Sequence, residues 1–316
     1  IIATNNGTVK FTGSGTTDVR ATIQGGGTLI IDGVNVVLGE NYQYVKDRQQ
    51  LTEHELEELG NKTDRTAIEQ KEYDYGWKLD DDGSYVTTLS ENTSASITQK
   101  DLEIRSGSLT ANADNLHITN GIVNNGEMTF TGGTLSTELK GAGQYSNIGT
   151  MTVEDTSKLQ MTNGLENTGT LNLGNSTNSV LGADITGTGT TVIAGNVSNN
   201  DKTITQNILN ITGTFTTDAS KLVIAKVINN SGNVSFNGGT LAQKVQGTGN
   251  ITFDGNVTTN ANYIATTGTN TVASGKTLTF NAGILAKKIE GAGNLSFDGN
   301  VTANADCIAT TGTNEV

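Results

Sequence analysis

The stretch from Val234 to Val272 nearly repeats itself 44 residues later, from Leu278 to Val316. The first copy reads VSFNGGTLAQKVQGTGNITFDGNVTTNANYIATTGTNTV and the second LTFNAGILAKKIEGAGNLSFDGNVTANADCIATTGTNEV. Apolar residues, glycines and asparagines stay in register while exposed-type positions drift, as at Gln243 against Lys287 and Gln246 against Glu290. Repetition at a fixed period marks a solenoid, in which each unit buries its core only against its neighbours.

A shorter unit recurs more widely: glycine, any residue, apolar, any residue, apolar. It stands at Gly7, Gly27, Gly126, Gly149, Gly169, Gly232, Gly249 and Gly293. Alternation with period two behind a glycine reads as a short, half-buried strand. Asparagine precedes the glycine by two places at Asn5, Asn124, Asn147, Asn167 and Asn230, where its tolerance of left-handed backbone suits a tight corner. A second marker, apolar-x-Gly-x-Gly, recurs at Leu139, Ile185, Val245 and Ile289. With no helix pattern after it, this is a corner rather than a nucleotide loop.

The spacing of these marks, 23 residues from Asn124 to Asn147 and 20 from Asn147 to Asn167, divides the 44-residue copy into two coils. The predicted fold is all-β, a right-handed parallel β-helix with about 22 residues in each of about 12 coils. Inward Val, Ile, Leu and Phe stack, while Thr and Asn face water. The absence of proline agrees, since every strand inside a stack donates its N–H to a neighbour. An antiparallel sandwich is the alternative fold.

Glu40 to Val86 breaks the pattern and holds 19 of the 51 charged side chains. It also carries six of the fifteen aromatics, Tyr42, Tyr44, Tyr73, Tyr75, Trp77 and Tyr85. Thr52-x-x-Glu55 forms a capping box ahead of EHELEEL, with Gly60-Asn61 as its stop. A second helical run is expected over Asp64 to Lys71. Hairpin arms follow at Trp77-Lys78-Leu79 and Ser84-Tyr85-Val86 around Asp80-Asp81-Asp82-Gly83. Three segments result: N-terminal coils over 1–39, an α+β insertion over 40–88, and the main coils over 89–316. The six aromatics are the candidate binding residues, because clustered Tyr and Trp suit a recognition surface. The bland reading is that they form the core of a small subdomain.

Residue chemistry for catalysis is thin. Asp80, Asp82, Ser84 and Glu91 echo a calcium loop, but its glycine falls at Gly83 rather than two places later, so a turn is expected and no metal site. Asp254 and Asp298 are equivalent residues of an FDGNV corner. Asp101, Glu103 and Arg105 alternate along one strand and are the best remaining enzymatic constellation. His54 and His117 have no nucleophile that the sequence can pair with them. The single cysteine, Cys307, matches Tyr263 of the earlier copy and excludes an internal disulfide. No cofactor is called for. The net charge of −13 and the lack of a basic cluster argue against nucleic acid. No run of 18 apolar residues is present, so membrane insertion by this segment is not expected. Both ends stop in mid-repeat, as expected for a piece of something longer.

The Gly/Asn/Thr-rich units GTLNL, GNVSFNGGTL and GAGNLSFDGNV resemble the passenger domains of bacterial autotransporter adhesins, over about residues 1–39 and 89–316. The resemblance implies a non-catalytic adhesin or scaffold, secreted or displayed at the outer membrane of a bacterium. Its partners would be a host or bacterial surface protein or a glycan, with self-association as a further option. A polysaccharide-acting enzyme or phage tailspike on the same scaffold, and a filament subunit, are the alternatives.

Overall fold

In a computed structural model of the chain, residues 6–20, 22–39, 45–48, 50–79, 87–89, 95–174 and 178–316 are described. The chain forms two compact units, Ile1–Leu38 with Ser96–Val316, and Gly39–Ala95.

The first unit is a β-solenoid of parallel strands with about 15 turns of about 19 residues. The glycine-led units open strands as their alternation requires, among them Thr8–Thr12, Thr28–Asp32, Thr170–Leu173 and Asn250–Phe253. Their apolar residues point inward and stack in register. Leu29 pairs with Leu102, Leu102 with Ile122, Ile122 with Leu139, and Leu139 with Leu159. All five are at most 1% exposed, so each turn is closed off from water by the next.

The turn is shorter than half of 44, for a geometric reason. Each turn contributes three short strands, so one side with its corner takes about a third of 19 residues. Val234 stacks on Ile251, and Ile251 on Asn270. Leu278, 44 residues after Val234, instead stacks on Val257, and Val257 on Gly239. The copy therefore spans two turns and one further side, seven sides in all. Equivalent residues of the two copies lie on different faces. The aromatic stacks follow suit: Phe236 lies against Phe253 at 5.9 Å between ring centres, and Phe280 against Phe297 at 5.6 Å.

The two corner markers are halves of one device. Asn124 sits in an Asn-x-Gly corner, where its Oδ1 accepts the Gly126 N–H at 2.9 Å and its Nδ2 donates to the Gln144 carbonyl at 2.9 Å. The Gly-x-Gly corner of the next turn rides on it, with the Gly143 N–H donating to the Asn124 carbonyl at 2.8 Å. Asn230 repeats two of these contacts, its carbonyl accepting the Gly249 N–H at 2.9 Å and its Nδ2 donating to the Asn250 carbonyl at 2.9 Å, while among the described residues its Oδ1 has no partner. Where two asparagine corners follow each other, the amides bond directly, Asn147 Nδ2 to Asn167 Oδ1 at 2.8 Å. These amides are fully buried, so leaving one unbonded would cost about 1–3 kcal/mol.

A further corner has no counterpart in the sequence reading. Short 3-10 turns cover Ala113–Asn115, Thr156–Lys158, Ala219–Lys221 and Ala261–Tyr263. Each opens on an Asx residue (Asn112, Asp155, Asp218 or Asn260) whose side chain accepts the N–H two residues on. Asp114, Ser220 and Asn262 then accept the N–H groups of Thr134, Thr240 and Ile284 on the following turn, at 2.8, 2.8 and 3.1 Å.

The second unit holds helix α1 (Glu53–Asn61), helix α2 (Ala67–Tyr75) and an antiparallel pairing of Val45–Arg48 with Thr87–Leu89. Helix α1 has the expected Thr52/Glu55 capping box. Helix α2 starts and ends later than the expected Asp64 to Lys71. A second capping box, Thr66 with Glu69, sets its start, and Gly76 in left-handed backbone at φ 68° sets its stop. Trp77 forms an antiparallel bridge with Gln50. The other expected hairpin arm, Ser84 to Val86, and the candidate calcium loop at Asp80, Asp82, Ser84 and Glu91 lie outside the described residues.

Candidate functional site

The candidate site lies in the Gly39–Ala95 unit, between its two helices and the segment after Gly76. A cleft of about 360 Å³ is lined by Leu51, Glu55, Glu58, Leu59, Lys62, Glu69, Glu72 and Lys78. Its charges are mostly paired within it. Lys78 meets Glu55 at 2.7 Å, Lys62 meets Glu69 at 2.6 Å, and Glu72 accepts the Leu79 N–H at 2.7 Å. Each capping carboxylate thus does two jobs: it closes a helix N-terminus and anchors a lysine from another segment.

Those contacts favour the charged carboxylates. The hydrogen bond from Lys78, with help from Thr52, pulls Glu55 down from 4.5 to about 2. The hydrogen bond from Lys62, with the Thr66 backbone, pulls Glu69 to about 2 in the same way. The Glu69 contact in turn raises Lys62.

Three of the six candidate aromatics are described. Tyr73 lies beneath the Arg65 guanidinium, 4.2 Å from its ring centre. That guanidinium is fixed by donating to the Gly60 carbonyl at 2.7 Å, to the Leu59 carbonyl, and to Gln70 Oε1 at 3.1 Å. Tyr75 is 62% exposed. Two residues apart on a helix, Tyr73 and Tyr75 face opposite ways, so α2 does not gather them on one surface. Trp77 is half-buried beyond the helix end. Tyr42, Tyr44 and Tyr85 lie outside the described residues.

Sequence reasoning passed over Arg65, Lys62, Glu69 and Glu72, which shape the cleft. One signal was available for Glu69: Thr66-x-x-Glu69 repeats the Thr52-x-x-Glu55 pattern fourteen residues on. The unit has 14 acidic and 6 basic side chains, a net charge of −8 of the chain's −13.

The other chemical candidates lie on the solenoid. Asp101 and Glu103 point outward from the strand Asp101–Ile104. Glu103 pairs with Arg105 at 3.0 Å, and Asp101 accepts the Asn120 amide at 2.9 Å. Beside them Lys10 meets Asp32 at 2.8 Å, and this bond lowers Asp32. Asp254 and Asp298 follow Phe253 and Phe297, which belong to different faces, so the two carboxylates occupy different corners. His117 is exposed on the strand Leu116–Ile118, and His54 faces Glu58 at 3.8 Å on α1. Among the described residues no group of three or more His, Cys, Asp or Glu is placed to hold a metal ion, and no helix is long and apolar enough to cross a membrane.

No family model, curated protein or solved structure matches the chain.

Proposed function

We propose that this chain is a non-catalytic adhesin or scaffold of a bacterial surface, secreted or displayed in the manner of autotransporter passengers. In this reading the solenoid carries the Gly39–Ala95 unit as its binding element, and the partner is a surface protein or a glycan. The supporting observation is how the solenoid treats the insertion. Ile23 pairs with Ile97, Leu29 with Leu102, and Val36 with Leu109, so consecutive turns stack across the 57 inserted residues without a break. The turn before crosses the same corner from Val19 to Ile23, and the turn after from Ala111 to Leu116. Stacking needs only three or four residues there, so the charged and aromatic surface beyond them serves something other than the solenoid's fold.

The test replaces Gly39–Ser96 by a four-residue Gly-Ser linker and compares both proteins on arrays of surface proteins and glycans. The Asn-Ala-Asp-Asn corner of the next turn is not copied, because such a corner needs a glycine opposite it. Retained β-sheet circular dichroism with loss of the array signal is expected. An unchanged array signal would sink the assignment of binding to this unit.

A further inference from the structure

One face of the solenoid carries a pattern that neither its folding nor the proposed insertion site uses. Its outward positions form two ranks running across successive turns. The first contains Asn178, Asn196, Thr214, Asn233 and Asn250; the second contains Val180, Ser198, Thr216, Ser235 and Thr252. Thr271 continues the second rank, and Thr269 bonds to Asn250 at the end of the first, its N–H reaching Oδ1 at 3.0 Å. Between them, inward Val197, Phe215, Val234 and Ile251 are at most 3% exposed, which locks the alternation and hence the direction of each polar group.

Every outward residue from Asn178 to Thr271 in these ranks is uncharged. Charge returns only on the next turn, where Glu290 pairs with Thr271 in register and with Lys288 at 3.1 Å. The strands at the other end of the solenoid carry ion pairs instead, Lys10 with Asp32 and Arg105 with Glu103. In a chain of net charge −13 these two ranks form an uncharged strip about 24 Å long, at about 4.8 Å per turn, bordered at the strand ends by Asp218 and Asp254.

The polar groups differ between the ranks. The amide rank bonds partly to itself, Asn250 Nδ2 to Asn233 Oδ1 at 3.0 Å and Thr269 Oγ1 to Asn250 Oδ1 at 2.9 Å. Among the described residues, the hydroxyls of Ser198, Thr216, Ser235, Thr252 and Thr271 have no hydrogen bond to the protein. Five hydroxyls in register, each able to donate and to accept, are thus turned outward with nothing to satisfy but solvent or a ligand. Over the first three turns the face is hollowed into a groove of about 310 Å³, lined by Asn178, Val180, Asn196, Ser198, Thr214 and Thr216. Val180, 49% exposed, gives its floor an apolar edge.

We propose that this face is a second binding site, for an extended neutral polysaccharide laid along the ranks. A sugar chain without carboxylate or sulfate presents hydroxyls that both donate and accept, and these match amide and hydroxyl groups but need no countercharge. A polyanion finds no cation within the ranks and is opposed by the net charge, and the carboxylates nearest them, Asp218 and Asp254, stand at the corners where those strands end, Asp218 held by the Ser220 N–H. Extended β-linked pyranose chains also repeat at close to the spacing of stacked strands, so one sugar can address each turn. Each such bond exchanges for one to water and contributes little net, so a single sugar binds weakly and affinity depends on many turns acting together.

Native gels cast with dextran, mixed-linkage β-glucan, galactomannan or xyloglucan, and with alginate as the anionic comparison, test this. At least one neutral polymer should retard the full-length chain while alginate does not. The triple variant Ser198→Ala, Thr216→Ala, Ser235→Ala should bind at least tenfold more weakly with unchanged circular dichroism. The linker variant that lacks Gly39–Ser96 should be retarded like the parent, which separates this site from the insertion. The proposal is overturned by no retardation in any neutral polymer, by equal retardation in alginate, or by a triple variant that binds like the parent. It is equally overturned if light scattering shows a dimer that the triple variant alone dissolves, since the face would then be a self-association surface.

Discussion

Substituting Gly247 by alanine tests the corner device most directly, and Gly275 provides its control. Both glycines have positive φ, +118° at Gly247 and +72° at Gly275, so alanine strains the backbone at each. At Gly275 nothing lies within 4 Å of the added carbon, and only that strain remains, about 1–2 kcal/mol. At Gly247 the added carbon stands 2.2 Å from the Asn230 carbonyl oxygen of the turn below. That oxygen accepts the Gly249 N–H at 2.9 Å, and Gly247's own carbonyl accepts the Thr267 N–H at 2.8 Å. Neither backbone can yield without separating two stacked turns, and overpacking of this kind adds about 1–3 kcal/mol.

Because each turn of a solenoid contacts only its neighbours, the damage stays local and a single global melting point understates it. Hydrogen exchange at the Gly249 and Thr267 amides reads it where it occurs. The overpacking alone converts to roughly 5- to 150-fold faster exchange in Gly247→Ala, and its φ of 118°, further from the left-handed region than the 72° of Gly275, adds to the difference. If Gly275→Ala disturbs its own corner as much as Gly247→Ala disturbs Gly249 and Thr267, close stacking is not what demands glycine at the Gly-x-Gly corner.

Three further outcomes follow from the same geometry. Glu55 and Glu69 titrate near 2 in the folded unit against 4.5 ordinarily, so their stabilising contribution is complete above about 4.5 and is lost as pH falls towards 2. Trp77, the only tryptophan, reports this unit by fluorescence, and Glu55→Gln should remove part of the acid transition; an unchanged pH profile refutes the assignment. Asn167→Ala removes one partner of Asn147 and of Gln206 inside the stack and should cost about 2–4 kcal/mol locally, read by hydrogen exchange at the Thr168 and Gly189 amides, with a loss below about 1 kcal/mol counting against the buried amide chain. In double-mutant cycles to leucine, Phe236 and Phe253 should couple by about 0.5–1.5 kcal/mol, whereas Phe253 and Phe280 should be additive. Coupling between Phe253 and Phe280 would contradict their placement on different faces.

The strands and the solenoid were legible because burial imposes period two, and Gly-Thr-Leu-Asn-Leu at Gly169 to Leu173 can satisfy it in only one way. The length of a turn was hidden by the same regularity. With three similar sides, a chain can resume its pattern after any whole number of sides, so a sequence copy reports sides and not turns. The Asx corners escaped notice for another reason. Asp218-Ala219-Ser220-Lys221 is too short to have a period, and its meaning depends on Gly239 and Thr240 one turn later. Helix α1 was found through Thr52 and Glu55. Helix α2 runs past the expected Lys71 because its capping box lies at Thr66 and Glu69 and its stop is Gly76, whose left-handed backbone ends it.

The seven-side copy also bears on where a repeated ligand could bind. Had 44 residues been two whole turns, Asp254 and Asp298, or Asn250 and Asn294, would recur on one face and build a row of identical subsites. The extra side rotates each copy onto the next face, and near-identical sequence is turned away from itself. A continuous binding surface on this solenoid must therefore be assembled from residues that are not repeats of one another. The rank through Ser198, Thr216, Ser235, Thr252 and Thr271 fits that requirement, because its members come from strands with different local sequences. Stacking does not dictate an unbroken run of hydroxyls at outward positions, since Lys288 and Glu290 fill the next turn of the same sheet without disturbing it. The proposed polysaccharide site rests on that run of hydroxyls without a partner in the protein, and its triple alanine variant is the direct test of it.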